Sequence, residues 1–141
     1  METTSSVADI QMVIFLLGSE EYGVDVMDVR EIVDITDVTK VANAPSHVEG
    51  VIDLRGSIVP IVSLKKRFGL PEAAAGICNC IAVMDFAGAL TGFVIDEVTD
   101  VIRVARRDIL PPLELGAEPW MEGILSLGPR LIVVMNLKHL A

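Results

Sequence analysis

Apolar residues along this chain come in short blocks and two-residue alternations, broken by glycine, proline and acidic clusters. That punctuation predicts short strands and tight turns, with helix in the minority. Residues 11–17 read as a strand, Gly18-Ser19-Glu20-Glu21 as a turn, and residues 22–26 as the returning strand of a hairpin. The chain bends at residues 25–28 before a third strand over 29–35. Val26, Val29 and Val33 lend a helix some support there, but the density of β-branched residues favours the strand. Asn43-Ala44-Pro45-Ser46 is a turn that opens one helical turn through His47 and Glu49. Residues 50–54 and 57–64 are strands around a tight turn at Arg55-Gly56. Pro60 lies inside the second of them and calls for an edge strand or a bulge, because it has no N–H for a ladder. Residues 63–68 suit a short helix stopped by Gly69, and residues 71–76 form a small-residue connector.

The second half repeats this order. Strands are expected at 77–86, 92–97 and 98–104, with a turn at 88–91. Pro111-Pro112 opens an irregular loop through Pro119, and Trp120-Met121-Glu122 is a candidate helical turn. A strand from Gly123, a turn at Gly128-Pro129, a strand over 131–137 and a short tail complete the chain. The residues themselves also recur. Gly50-Val51-Ile52-Asp53-Leu54 matches Gly123-Ile124-Leu125-Ser126-Leu127 at an offset of 73 (123 − 50). Gly23-Val24-Asp25-Val26 matches Gly92-Phe93-Val94-Ile95 at an offset of 69 (92 − 23). This predicts two similar β lobes, roughly residues 10–70 and 77–141, with strands open to exchange between them. Together they make a single domain over 10–141 behind a flexible N-terminus of residues 1–9.

Composition narrows the function. A chain of 141 residues buries roughly two-thirds of its unfolded surface, whereas a lobe of half that length is marginal alone. With 52% hydrophobic but only 4% aromatic residues, the core must be Val, Ile and Leu. A net charge of −9 argues against nucleic-acid binding and against anionic membrane surfaces. Two basic clusters, Lys65-Lys66-Arg67 and Arg103 with Arg106-Arg107, read as solvated charge or a local contact. The polar, acidic start does not resemble a signal peptide, and no apolar run approaches the roughly 20 residues of a membrane span. Cys78 and Cys80 share one face of a strand, which disfavours a mutual disulfide and suits a reducing cytosol. His47 and His139 show no ligand spacing to that pair, so buried thiols are expected and no metal. No phosphate-binding loop, dinucleotide fingerprint or nucleophile elbow is present, so neither an enzyme nor a cofactor site is expected.

The segment from Gly50 to Leu64, with its Leu54-Arg55-Gly56-Ser57-Ile58-Val59-Pro60 core, resembles the signature of the CheW family of bacterial chemotaxis scaffold proteins. Glu20-Glu21-Tyr22-Gly23-Val24-Asp25, Val29-Arg30-Glu31-Ile32 and Asn43-Ala44-Pro45 fit the same pattern, as do residues 92–98 and 122–137. The resemblance covers about residues 10 to 140. The family has Asn at the position of Asp53 and Asp at that of Ser63. The resemblance implies a mainly β fold, two five-stranded SH3-like β-barrel subdomains packed side by side with a few short helices. It implies a cytoplasmic, non-enzymatic adaptor that couples transmembrane chemoreceptors to the histidine kinase CheA. Its partners would be the kinase's regulatory domain, the helical receptor tips and other copies of the family in arrays. The implied partner-binding residues are Val29, Glu31, Gly50, Arg55 and Gly56.

The residues support one part of this directly. Glu31 and Arg55 are opposite charges on neighbouring β segments, and the second copy has Asp100 and Gly128 at the corresponding places. An exposed ion pair adds little stability, so a pair present in only one lobe points to the shaping of a contact surface. The plain alternative is an ordinary surface bridge. Other readings of the chain are an adaptor of another chemosensory pathway, such as twitching motility or surface sensing, a regulatory domain cut from a CheA-type kinase, and a ligand-binding β-barrel. The kinase fragment is disfavoured by the start at Met1 and the lack of phosphotransfer or ATP-binding segments, and the ligand-binding barrel by the single Trp and single Tyr.

Overall fold

The computed structural model describes residues 9–34, 38–69, 80–111 and 119–140. The expected N-terminal tail, the 71–76 connector, Cys78 and the interior of the loop after Pro111 lie outside them. Eleven strands are present among the described residues. The first half supplies β1 (Asp9–Leu17), β2 (Glu20–Asp25), β3 (Val29–Asp34), β4 (Val48–Leu54) and β5 (Ser57–Ser63), then helix α1 (Leu64–Phe68). The second supplies β6 (Cys80–Phe86), β7 (Ala89–Ile95), β8 (Glu97–Ala105), β9 (Ile109–Leu110), β10 (Met121–Leu127) and β11 (Arg130–Met135). Single 3-10 turns occupy Val26–Asp28, Arg106–Asp108 and Leu137–Leu140.

The strands form two mixed sheets, in the orders β8-β1-β2-β11-β10-β9 and β3-β6-β7-β5-β4. At the offsets of the sequence repeat, β1-β2 corresponds to β6-β7, β3 to β8, and β4-β5 to β10-β11. Substituting these equivalents makes the two orders the same. Each sheet also holds one parallel pair, β2 with β11 and β5 with β7, joined through Gly23↔Val134 and Ile61↔Gly92. Among the described residues the one extra strand is β9, whose counterpart in the other sheet is the single bridge Thr39↔Val51.

The compact units do not follow the boundaries 10–70 and 77–141. One is the continuous middle of the chain, Asp28–Glu97; the other joins the two ends, up to Met27 and from Val98. The reason is local. β5 runs through α1 towards the β6-β7 hairpin, and elements close in sequence tend to be neighbours in space. The middle unit is therefore completed by the hairpin that follows it, and β1-β2 pairs with strands of the second half.

Each unit has its own aliphatic core. One gathers Ile10, Met12, Ile14, Leu125, Ile132 and Val134; the other gathers Ile52, Val59, Ile61, Ile81 and Val83. Close backbone approaches repeat as well. Gly50 is buried at φ 144°, and a Cβ there would lie 2.1 Å from the Thr39 carbonyl oxygen. A Cβ on Gly123 would lie 2.3 Å from that of Leu110. Glycine at both places lets the preceding segment dock against β4 and β10.

Several local expectations need correction. Met121 and Glu122 belong to β10, not to a helical turn, because the ladder runs on to Met121↔Met135 and Asn136 N–H bonds the Trp120 carbonyl at 2.7 Å. The turn between β6 and β7 is Ala87-Gly88, so Ala89 to Thr91 are already strand. β4 starts at Val48, leaving no helical turn through Glu49. Pro60 sits in an interior strand and opposite no bulge. Its partner Val51 turns both N–H and C=O to Thr39, away from β5, so the pair shares no ladder hydrogen bond. The nitrogen of Pro60 then faces β7, whose ladder begins only at Ile61.

Candidate protein-docking surface

The site grows from one hairpin turn. Arg55 (φ 51°) and Gly56 (φ 91°) both occupy the left-handed region, as a two-residue hairpin turn with the right twist demands. Asp53 braces the turn by accepting the Gly56 N–H at 2.8 Å. The β6-β7 turn is built alike, with Ala87 and Gly88 at positive φ and Gly88 N–H donating to Asp85 at 2.7 Å. An Asn amide oxygen would accept the same bond, which accounts for Asp53 in place of the family's Asn.

From this turn the Arg55 guanidinium meets Glu31 Oε1 at 2.5 Å. The hydrogen bond to Glu31, and then its charge, hold Arg55 still more firmly in the protonated form. β3 and β4 are the outermost strands of their sheet, not neighbours. The ion pair joins the two ends of a sheet that must curl to let them meet. Val29 lies half-buried on β3 opposite Met84, at a bulge where Arg30 is the extra residue. Arg30 in turn pairs with Asp85 at 3.2 Å. Of the five residues singled out from the sequence, Glu31, Arg55 and Gly56 come together, Val29 is on the same strand as Glu31, and Gly50 is buried with a packing role.

Sequence reasoning did not single out two exposed apolar residues on the strands that carry this pair and its turn. Ile58, one residue past the turn and its following Ser57, is 64% exposed, and Ile32 beside Glu31 is exposed as well. The signal was available: Val59 and Ile61 are fully buried, so the two-residue period turns Ile58 outwards. The equivalent residues of the other sheet, Leu131 (58 + 73) and Val101 (32 + 69), are exposed too.

The asymmetry argument for Glu31 and Arg55 does not survive. Asp100, the counterpart of Glu31, accepts a 2.8 Å hydrogen bond from Arg130, two residues beyond Gly128. Arg130 also grips Glu21 through Nε and Nη2. That hydrogen bonding, ahead of simple attraction between the charges, holds the Glu21 carboxyl below the usual range against the opposing effect of burial. Each unit thus pairs an acid of β3 or β8 with an arginine in or just after the turn of its following hairpin. What differs is its setting: two carboxylates share Arg130, whereas Arg55 is mostly solvent-exposed with Glu31 as its ion-pair partner.

No group of three or more His, Cys, Asp or Glu gathers as a metal site among the described residues, and no helix among them is long and apolar enough to cross a membrane. Cys80 is half-buried on β6 between Asp34 and Ile95.

Comparison with known proteins agrees with this architecture. The family profile of the CheW-like domain matches residues 11–141. Chemotaxis protein CheW of Klebsiella aerogenes is 34% identical over 133 residues, covering 92% of this chain and 80% of that protein. Chemotaxis protein CheW of Treponema pallidum is 35% identical over 138 residues, covering 92% and 81%. The crystal structure of scaffolding protein TtCheW from Thermoanaerobacter tengcongensis superposes with a TM-score of 0.83 at 33% identity, over 89% of this chain and 88% of that one. The two mixed sheets are accordingly SH3-like barrel subdomains, one with the short β9 added to its five strands. The chain belongs to the CheW-like domain family, the non-catalytic scaffold proteins of chemotaxis.

Proposed function

We propose that this protein is a chemotaxis adaptor that couples the cytoplasmic tips of chemoreceptors to the histidine kinase CheA. The observation that carries the reading is the exposed Glu31–Arg55 pair at the joined ends of a barrel, with Ile32 and Ile58 exposed on the strands beside it. Apolar side chains supply contact area, and the ion pair sets the shape and charge of its rim. Val29 supports this surface from β3, while Gly50 and Gly56 hold its backbone. With a net charge of −9, the adaptor gains no long-range steering towards acidic partners. Contacts of about −8 kcal/mol, micromolar each, would suffice once receptors, kinase and further adaptor copies are held together in an array. In this reading the protein resides in the cytoplasm and is recruited to receptor clusters at the inner face of the membrane.

The test uses receptor-containing membranes and the kinase. The wild-type protein is expected to raise receptor-controlled phosphorylation while turning over nothing by itself. Arg55→Ala is expected to leave the melting curve nearly unchanged and to weaken receptor or kinase capture. Capture equal to wild type by the mutant would remove this surface from the mechanism.

A further inference from the structure

Eight of the eleven Lys and Arg residues of this chain fall into two groups; Lys40, Arg67 and Lys138 are scattered, exposed cations. Arg30, Arg55, Lys65, Lys66 and Arg130 each meet a carboxylate. Arg103, Arg106 and Arg107 are exposed and have no ion-pair partner among the described residues. They occupy one short stretch, the end of β8 and the 3-10 turn after it. Asp108 in that turn offsets one charge, leaving +2 (3 − 1) on an otherwise acidic molecule of net charge −9.

Apolar surface adjoins these arginines. Arg106 lines a cleft of about 330 Å³ with Ile109, Pro119, Met121 and Glu122. Glu122 is engaged by the Asn136 amide at 3.3 Å. Leu110, next along β9, is 57% exposed. Guanidinium groups bind carboxylates through paired, charge-assisted hydrogen bonds, and the Ile109, Pro119 and Met121 side of this mixed polar and apolar cleft can take an aliphatic side chain.

We propose that this corner, formed by the end of β8, the turn Arg106–Asp108 and β9, docks an acidic, leucine-bearing segment of a partner protein. Charge complementarity selects the occupant. The acidic body of the protein opposes a nucleic acid or an anionic membrane, whereas a short acidic segment reaches the arginines without facing the rest of the surface. The site is built from residues of the other compact unit than Glu31 and Arg55, and does not depend on the adaptor reading.

The probe is a labelled synthetic peptide of glutamate, alanine and leucine, titrated against the full chain. Saturable binding is expected that weakens with added salt, since screening sets in over about 10 Å at 0.1 M. The same peptide with glutamine for glutamate should not bind. The triple variant Arg103→Glu/Arg106→Glu/Arg107→Glu should lose about tenfold or more in affinity through like-charge opposition. Leu110→Ser should lose severalfold. Should charge reversal disturb folding, as judged by melting, the neutral triple variant with Gln at the three positions decides in its place. Equal binding by the folded arginine variants overturns the proposal, as does tighter binding to phosphatidylglycerol vesicles than to the peptide.

Discussion

Lys65 and Asp96 form an ion pair with Nζ to Oδ1 at 2.8 Å, and their side chains are only 9% and 5% exposed. At the equivalent places of the other unit, Lys138 (65 + 73) and Met27 (96 − 69) are both exposed. The basic cluster read as solvated charge or a local contact is thus divided. Lys65 is buried against Asp96, Lys66 reaches Glu49 at 3.0 Å, and Arg67 is exposed. Nothing in the spacing of three cations reveals a carboxylate brought in from a distant strand end. Two charges taken out of water depend on each other. Removing one partner, in Lys65→Met or Asp96→Leu, is expected to cost about 3–5 kcal/mol, while the double variant recovers most of that loss. Urea unfolding of the four proteins in a double-mutant cycle checks this. Additive losses would show that the pair is not coupled.

Among the elements, α1 illustrates how little a five-residue helix owes to propensity. Ser63 caps it, its hydroxyl accepting the Lys66 N–H at 3.2 Å, and Gly69 closes it in the left-handed conformation at φ 74°. The glycine stop was legible, because Gly after the last turn is the residue such an end requires, whereas Ser63, read as part of the helix, is its cap. Asp, the family's residue here, can accept the same bond. Ser63→Ala is expected to cost about 1 kcal/mol, and Ser63→Asp to retain the cap. The urea midpoint measures both, and an unchanged midpoint in Ser63→Ala would count against the cap. The hairpins were legible for a similar reason: glycine or an Asp-x-x-Gly turn marks their tips. Where the reading failed, at Ala89–Thr91 and Met121–Glu122, residues beside a glycine or a tryptophan read as turn, while cross-strand ladders make them strand.

For the whole molecule, the repeat has a consequence that can be tested on fragments. All five strands of one sheet lie between Asp28 and Glu97. A fragment of residues 28–97 is expected to give a dispersed NMR spectrum and protected amides. Fragments 10–70 and 77–141, each holding pieces of both sheets, are expected to give neither alone. Folding of 10–70 by itself would contradict the observed strand pairing. The docking surface follows the same division. Its turn, the charges of Glu31 and Arg55 and the outward Ile58 were present in the local sequence. The meeting of Glu31 with Arg55 needed a sheet whose outermost strands curl together.

The sequence by itself determined the strands, their tight turns, the aliphatic core and the two-fold recurrence, since each depends on neighbours a few residues apart. It set the period of the repeat but not its phase. Where one barrel ends and the next begins rests on which hairpin β5 and β11 accept as a parallel partner, and on where Arg130 and Lys65 find their acids. Those are contacts between segments far apart in the chain, and only the tertiary structure decided them.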